Sequence, residues 1–115
     1  MSRYLLDGAT LLAAMAAPFR LRSEAHTILT DRSNDILVSA ATFLDAYELE
    51  QDQKAEFSSL RGKLQSAATQ MGFVAIDTAP AHVDRAATLA AALPWPRRIL
   101  RAQSEMLPAT LLTLE

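Results

Sequence analysis

The segment Ile36-Leu37-Val38-Ser39-Ala40-Ala41-Thr42-Phe43-Leu44-Asp45 changes character in its middle. Asn34-Asp35 before it marks a turn. Ile36-Leu37-Val38 is apolar without alternation, which reads as a strand buried on both faces. Ser39 is a good helix N-cap, and Ala40-Ala41 opens a helix carrying Phe43, Leu44, Asp45 and Tyr47. A buried strand that runs straight into a capped helix is the building unit of a parallel α/β sheet.

Working outward, the same alternation recurs. Toward the N-terminus, Tyr4-Leu5-Leu6 reads as a first strand ending at Asp7. Residues 9–17 are small and apolar, a buried helix that Pro18 stops. A second helix is expected over 21–30, burying Leu21, Ala25, Ile28 and Leu29 and exposing Arg22, Glu24 and Asp31. Toward the C-terminus, 52–71 reads as one long amphipathic helix with Ala55, Leu60, Leu64 and Ala67 inward, ended by Gly72. Phe73-Val74-Ala75-Ile76 is a third strand, and Asp77 or Thr78 caps a helix reaching Leu93. Pro94-Trp95-Pro96 reads as a stiff extended interruption, with Trp95 packed over the end of the sheet or stacking on a base or a partner side chain. A helix over 97–106, a break at Pro108 and a last strand at Thr110-Leu111-Leu112-Thr113 complete one domain, residues 1–115.

Composition narrows the chemistry. Ala (22) and Leu (18) fill 40 of 115 positions, and half the chain is hydrophobic, which excludes intrinsic disorder. No cysteine exists, so disulfides, thiolate metal sites and cysteine nucleophiles are excluded. Three scattered glycines cannot make a phosphate-binding glycine loop. His26 and His82 stand apart from any matching serine and read as helix-surface residues. Met71 and Met106 read as core gap-fillers. Net charge is −2, but residues 31–60 hold seven acids against two bases, and Asp45, Glu48, Glu50, Asp52 and Glu56 read as a solvated acidic face. Arg3 and the run at 13–17 imitate a secretory leader, yet Asp7 interrupts the apolar stretch. With no stretch of membrane-spanning length either, a cytoplasmic chain without membrane contact is expected.

Carboxylates are then the remaining catalytic option. Asp7 follows the first strand, Glu115 follows the last, and Asp45 lies about two turns into the helix after the second. Acids gathered beyond the carboxyl ends of parallel strands suit a hard divalent cation and a phosphate substrate; they are equally common as helix caps.

Four stretches together resemble a PIN domain of the VapC toxin type. They are Arg3-Tyr4-Leu5-Leu6-Asp7 with Leu11-Leu12, the 36–45 segment, Gly72-Phe73-Val74-Ala75-Ile76-Asp77-Thr78 with Ala81-His82, and Arg98-Ile99-Leu100-Arg101-Ala102-Gln103 with Thr110-Leu111-Leu112-Thr113. The match runs through nearly the whole chain in order. The resemblance implies a PIN-like three-layer sandwich with a short, mostly parallel central sheet of about four strands flanked by helices. It also implies a Mg²⁺- or Mn²⁺-dependent endoribonuclease in which acids activate water for attack on RNA, in a toxin–antitoxin pair. Carried over, Asp7 matches the first acid, Asp45 stands one methylene short of the expected glutamate, and Glu115 matches the last acid. These three would form the catalytic and metal-binding cluster if any metal binds. The position of the decisive acid is held by Arg97, Pro94 replaces an aspartate, and Gly8-Ala9 replace a polar pair that would orient the first acid.

An arginine at 97 either points at Asp7 and Asp45, relieving their repulsion and blocking a cation, or swings out with Arg98 and Arg101 as a solvated face or a phosphate-contacting patch. The first outcome makes a degenerate, non-cleaving domain with no cofactor, acting as a homodimer or as a module for an antitoxin-like partner. A phosphate-contacting patch goes with an active ribonuclease toxin whose substrate is RNA.

Overall fold

The computed structural model describes residues 2–52 and 58–114. Strands β1 (Arg3–Leu6) and β2 (Asp35–Ser39) lie at the centre of the sheet, with β3 (Val74–Ile76) and β4 (Thr110–Leu112) at its edges, in the order β3-β2-β1-β4. Every pairing is parallel: Leu5 faces Leu37 and Leu111, and Leu37 faces Val74. Central parallel strands must be covered on both faces, and the continuous apolar runs at 4–6 and 36–38 supply that.

Six α-helices among the described residues cover the sheet: α1 (Gly8–Ala16), α2 (Ser23–Thr30), α3 (Ala40–Gln51), α4 (Leu64–Gln70), α5 (Pro80–Ala86) and α6 (Trp95–Met106). Side chains alternate along each strand, so one face sends Leu6, Ile36 and Val38 toward Leu11, Ala14, Ile28 and Ala68 of α1, α2 and α4. The other face sends Leu5 and Leu37 toward Ala41 of α3 and Leu100 of α6. A third cluster of Leu12, Ala46 and Leu64 closes α1, α3 and α4 together. The product is the α/β three-layer arrangement expected from the sequence, with a sheet that is parallel throughout.

The capping of α3 follows the sequence closely. Ser39 Oγ accepts from the Ala41 and Thr42 N–H groups, and Thr42 Oγ1 accepts from the Ser39 N–H in return. Thr42 Oγ1 also donates to the Leu6 carbonyl at 2.7 Å, which ties the end of β1 to the start of α3.

Three expected elements differ. The single helix over 52–71 does not form: Asp52 is the C-cap of α3, and α4 starts only at Leu64 after a turn in which Gly62 adopts φ 81°. A left-handed residue cannot sit inside a right-handed helix, so Gly62 breaks the run. Of its expected inward side chains, Leu64 is buried, Leu60 and Ala67 are half-buried, and Ala55 lies outside the described residues. The helix after β3 is short, Pro80–Ala86: it starts late because Pro80 takes its first position with Ala79 as its cap, and it ends at the C-cap Ala87 instead of reaching Leu93. His82 Nδ1 accepts from the Ala79 N–H, while Thr78 turns instead to Gln103.

The 94–96 segment is the third. Pro94 is the N-cap of α6, and Trp95 and Pro96 are its first two residues rather than an extended loop. Proline is tolerated there because the first helical N–H groups have no intrahelical acceptor. Trp95 is accordingly half-exposed, with the Arg98 guanidinium 3.8 Å from its ring centroid, and does not pack over the sheet. Met71 and Met106 are also exposed rather than filling core gaps.

Candidate functional site

Asp7 leaves the carboxyl end of β1 and serves as the N-cap of α1, its Oδ1 accepting from the Thr10 N–H at 2.8 Å. Its side chain is 3% exposed. Asp45 sits on the second turn of α3 and is buried too, its Oδ2 accepting from the Gly8 N–H at 2.8 Å. The two carboxylates therefore meet around the first turn of α1, each bound to a different orphan donor of that turn. The surface reading of Asp45 is corrected: of the acidic run, Glu48 and Glu50 are half-buried, Asp52 is exposed, and Glu56 lies outside the described residues.

Gly8 makes this meeting possible. A Cβ at Gly8 would stand 2.7 Å from the Asp45 carbonyl carbon and closer still to the Ala46 nitrogen, so α1 and α3 touch backbone to backbone there. In the sequence Gly8 reads only as a missing polar side chain. It is instead the residue that lets Asp45 reach a backbone donor, and a glycine directly after a strand-end acid is the signal.

Arg97, on the first turn of α6, completes the cluster. Its Nη2 lies 3.7 Å from Asp7 Oδ2, an ion pair beyond hydrogen-bonding distance, with the guanidinium side chain 37% exposed. Arg97 thus does not bridge the two acids: it pairs with Asp7 and acts on Asp45 only through space. Burial is the main force on Asp45 and pushes its pKa up. The Gly8 N–H and Arg97 oppose the rise, while Asp7 and Glu48 add to it.

Arg97 and Arg101, one turn apart, line a cavity of about 40 Å³ with Asp7, Leu93 and Thr113. Arg101 is exposed, and Arg98 lies along Trp95 rather than in the cavity. Glu115 lies outside the described residues, so the expected three-acid cluster comes down to Asp7 and Asp45 within them. A larger groove of about 620 Å³ opens at the other end of the strands, between residues 29–34 at the end of α2 and residues 70–73.

The donors fit a divalent cation poorly. Mg²⁺ requires near-octahedral oxygen ligands at about 2.0–2.1 Å. Here one oxygen of each acid already accepts a backbone N–H, and a guanidinium stands against the other oxygen of Asp7. Among the described residues no group of three or more histidine, aspartate or glutamate side chains is placed to hold an ion. Chemically, a guanidinium stands beside the two acids and pairs with one of them, which opposes the entry of a cation.

Comparison of the chain with protein-family models, with curated proteins and with solved structures finds no match.

Proposed function

We propose that the chain is a PIN-like domain, related to VapC toxins, whose acidic centre has become an internal ion-pair cluster. In this reading it does not cleave RNA and works in the cytoplasm as a dimerising or partner-binding module, for example for an antitoxin-like protein. The observation that carries the reading is Arg97 Nη2 at 3.7 Å from Asp7 Oδ2, at the place where the resemblance puts a metal-binding acid. The parallel four-stranded sheet with helices on both faces supports it, as does the gathering of Asp7, Asp45 and Arg97 beyond the carboxyl ends of β1 and β2. No helix among the described residues is long and apolar enough to cross a membrane, in keeping with a module that acts away from one.

A second reading, an active Mg²⁺-dependent ribonuclease toxin, is favoured by one observation: Asp7 and Asp45 do converge on the same helix turn. A ribonuclease assay with Mg²⁺ separates the two. The closed-site reading expects no cleavage by the wild type, with any activity appearing only in Arg97→Asp. Cleavage by the wild type selects the toxin.

A further inference from the structure

We infer that the groove at the amino ends of β2 and β3 binds a free α-amino acid with an aliphatic or aromatic side chain. The site lies at the far end of the strands from Arg97 and does not depend on how that centre is read. Two concavities meet there. An apolar pocket of about 330 Å³ is walled by Ala14, Pro18, Leu21, Leu29, Met71 and Phe73, and no acid, lysine or arginine lines it. It shares Leu29, Thr30, Met71 and Phe73 with the groove of about 620 Å³, which adds Asp31, Arg32, Asn34 and Gln70. Pockets of about 300–1,000 Å³ with apolar walls and a few convergent polar groups are the usual form of a small-molecule site.

The charged groups select the ligand. Asp31 follows α2, and its Oδ1 accepts from the N–H and the hydroxyl of Ser33 at 2.9 and 2.7 Å. These bonds hold its carboxyl below the usual aspartate value, so it is ionised at neutral pH, and Oδ2 is left for an incoming donor. The ion pairs among the described residues are Arg61–Glu50, Arg85–Glu105 and Arg97–Asp7, so the exposed Arg32 has no carboxylate partner there. An acid beside an arginine opposes a simple anion and a simple cation alike. A zwitterion satisfies both, its ammonium at Asp31 and its carboxylate at Arg32. The backbone strengthens the ammonium's side. Helix α2 ends at Thr30 and α4 at Gln70, and both residues line the groove, so two negative helix ends meet it. Among the described residues no donor reaches the Leu29, Thr30 or Gln70 carbonyl. With ammonium and carboxylate held on one carbon at the rim, the ligand's side chain enters the apolar pocket and covers Leu29, Phe73 and the exposed Met71.

The probe is L-leucine, titrated calorimetrically into the full chain. Saturable binding with a Kd at or below about 1 mM is expected. Asp31→Asn and Arg32→Gln are each expected to weaken it about five-fold, the scale of an exposed charged contact. Asparagine keeps an oxygen for Ser33, so the turn after α2 is retained. Met71→Glu sets a charge at the mouth of the apolar pocket and is expected to abolish binding; Met71 is exposed, and a thermal melt checks that the variant folds. Arg85→Gln on α5 is expected to change nothing. Glycine, with no side chain for the pocket, and N-acetyl-leucine amide, with neither charge, are expected not to bind. The inference is overturned if leucine shows no saturable binding, if the Asp31 and Arg32 variants bind it as the wild type does, or if glycine or the blocked amide binds as tightly as leucine. Binding of the blocked amide alone overturns it in favour of an apolar peptide segment. The Arg97 centre is read separately by Mn²⁺, so a failure here leaves the proposed function standing.

Discussion

Asp45 is the residue on which burial and charge work against each other. Its carboxyl is removed from water, its one backbone donor is the Gly8 N–H, and Asp7 stands nearby with the same charge. A carboxyl whose pKa is raised by folding binds its proton more tightly in the native state than in the unfolded chain. Its contribution to stability is then full below the ordinary aspartate value and is lost as pH rises through the raised native value. Asp45→Asn keeps an oxygen to accept from Gly8 and removes the titration. In thermal melts from pH 4 to pH 8 (about one unit per step), the variant is expected to gain on the wild type as pH rises. A wild type that gains on the variant toward pH 8 would contradict the raised value. None of this was legible in the sequence, where Asp45 sits in an acidic run and reads equally well as a solvated side chain. What decides its burial is the approach of another helix.

That approach belongs to the elements α1 and α3. Their crossing is set by Gly8, where a side chain would overlap the backbone of Asp45 and Ala46. Rigid backbone cannot yield as a flexible side chain does, so Gly8→Ala is expected to cost about 3 kcal/mol, read as a drop in the urea midpoint at unchanged slope. A variant as stable as the wild type would show that the crossing is not so close. Local elements were legible wherever a short-range signal sets them: the Ser39 cap, the Pro18 stop, and the apolar runs of β1 and β2. They were misread where one residue type serves two purposes. Gly62, which falls inside the expected helix over 52–71, makes the turn that precedes α4. Pro96 reads as a helix breaker yet stands at the second residue of α6, where its missing N–H costs nothing.

At the scale of the whole molecule, four parallel strands bring the ends of β1, β2 and β4 to one side, and α6 lays its first turns across that side. The fold class was readable because buried strands and capped helices alternate over the full length. The centre was readable in part: Asp7 and Asp45 stood out by their places after β1 and in α3, Arg97 stood out through the resemblance, and which acid the arginine takes was left open. Asp7 takes the ion pair, Asp45 takes a backbone donor, and only the packed structure apportions them. The central claim is that Arg97 stands where a cation would otherwise be held, and isothermal titration with Mn²⁺ tests it most directly. The account predicts no binding to the wild type and measurable binding once Arg97 is replaced by aspartate; micromolar binding of Mn²⁺ to the wild type would contradict it.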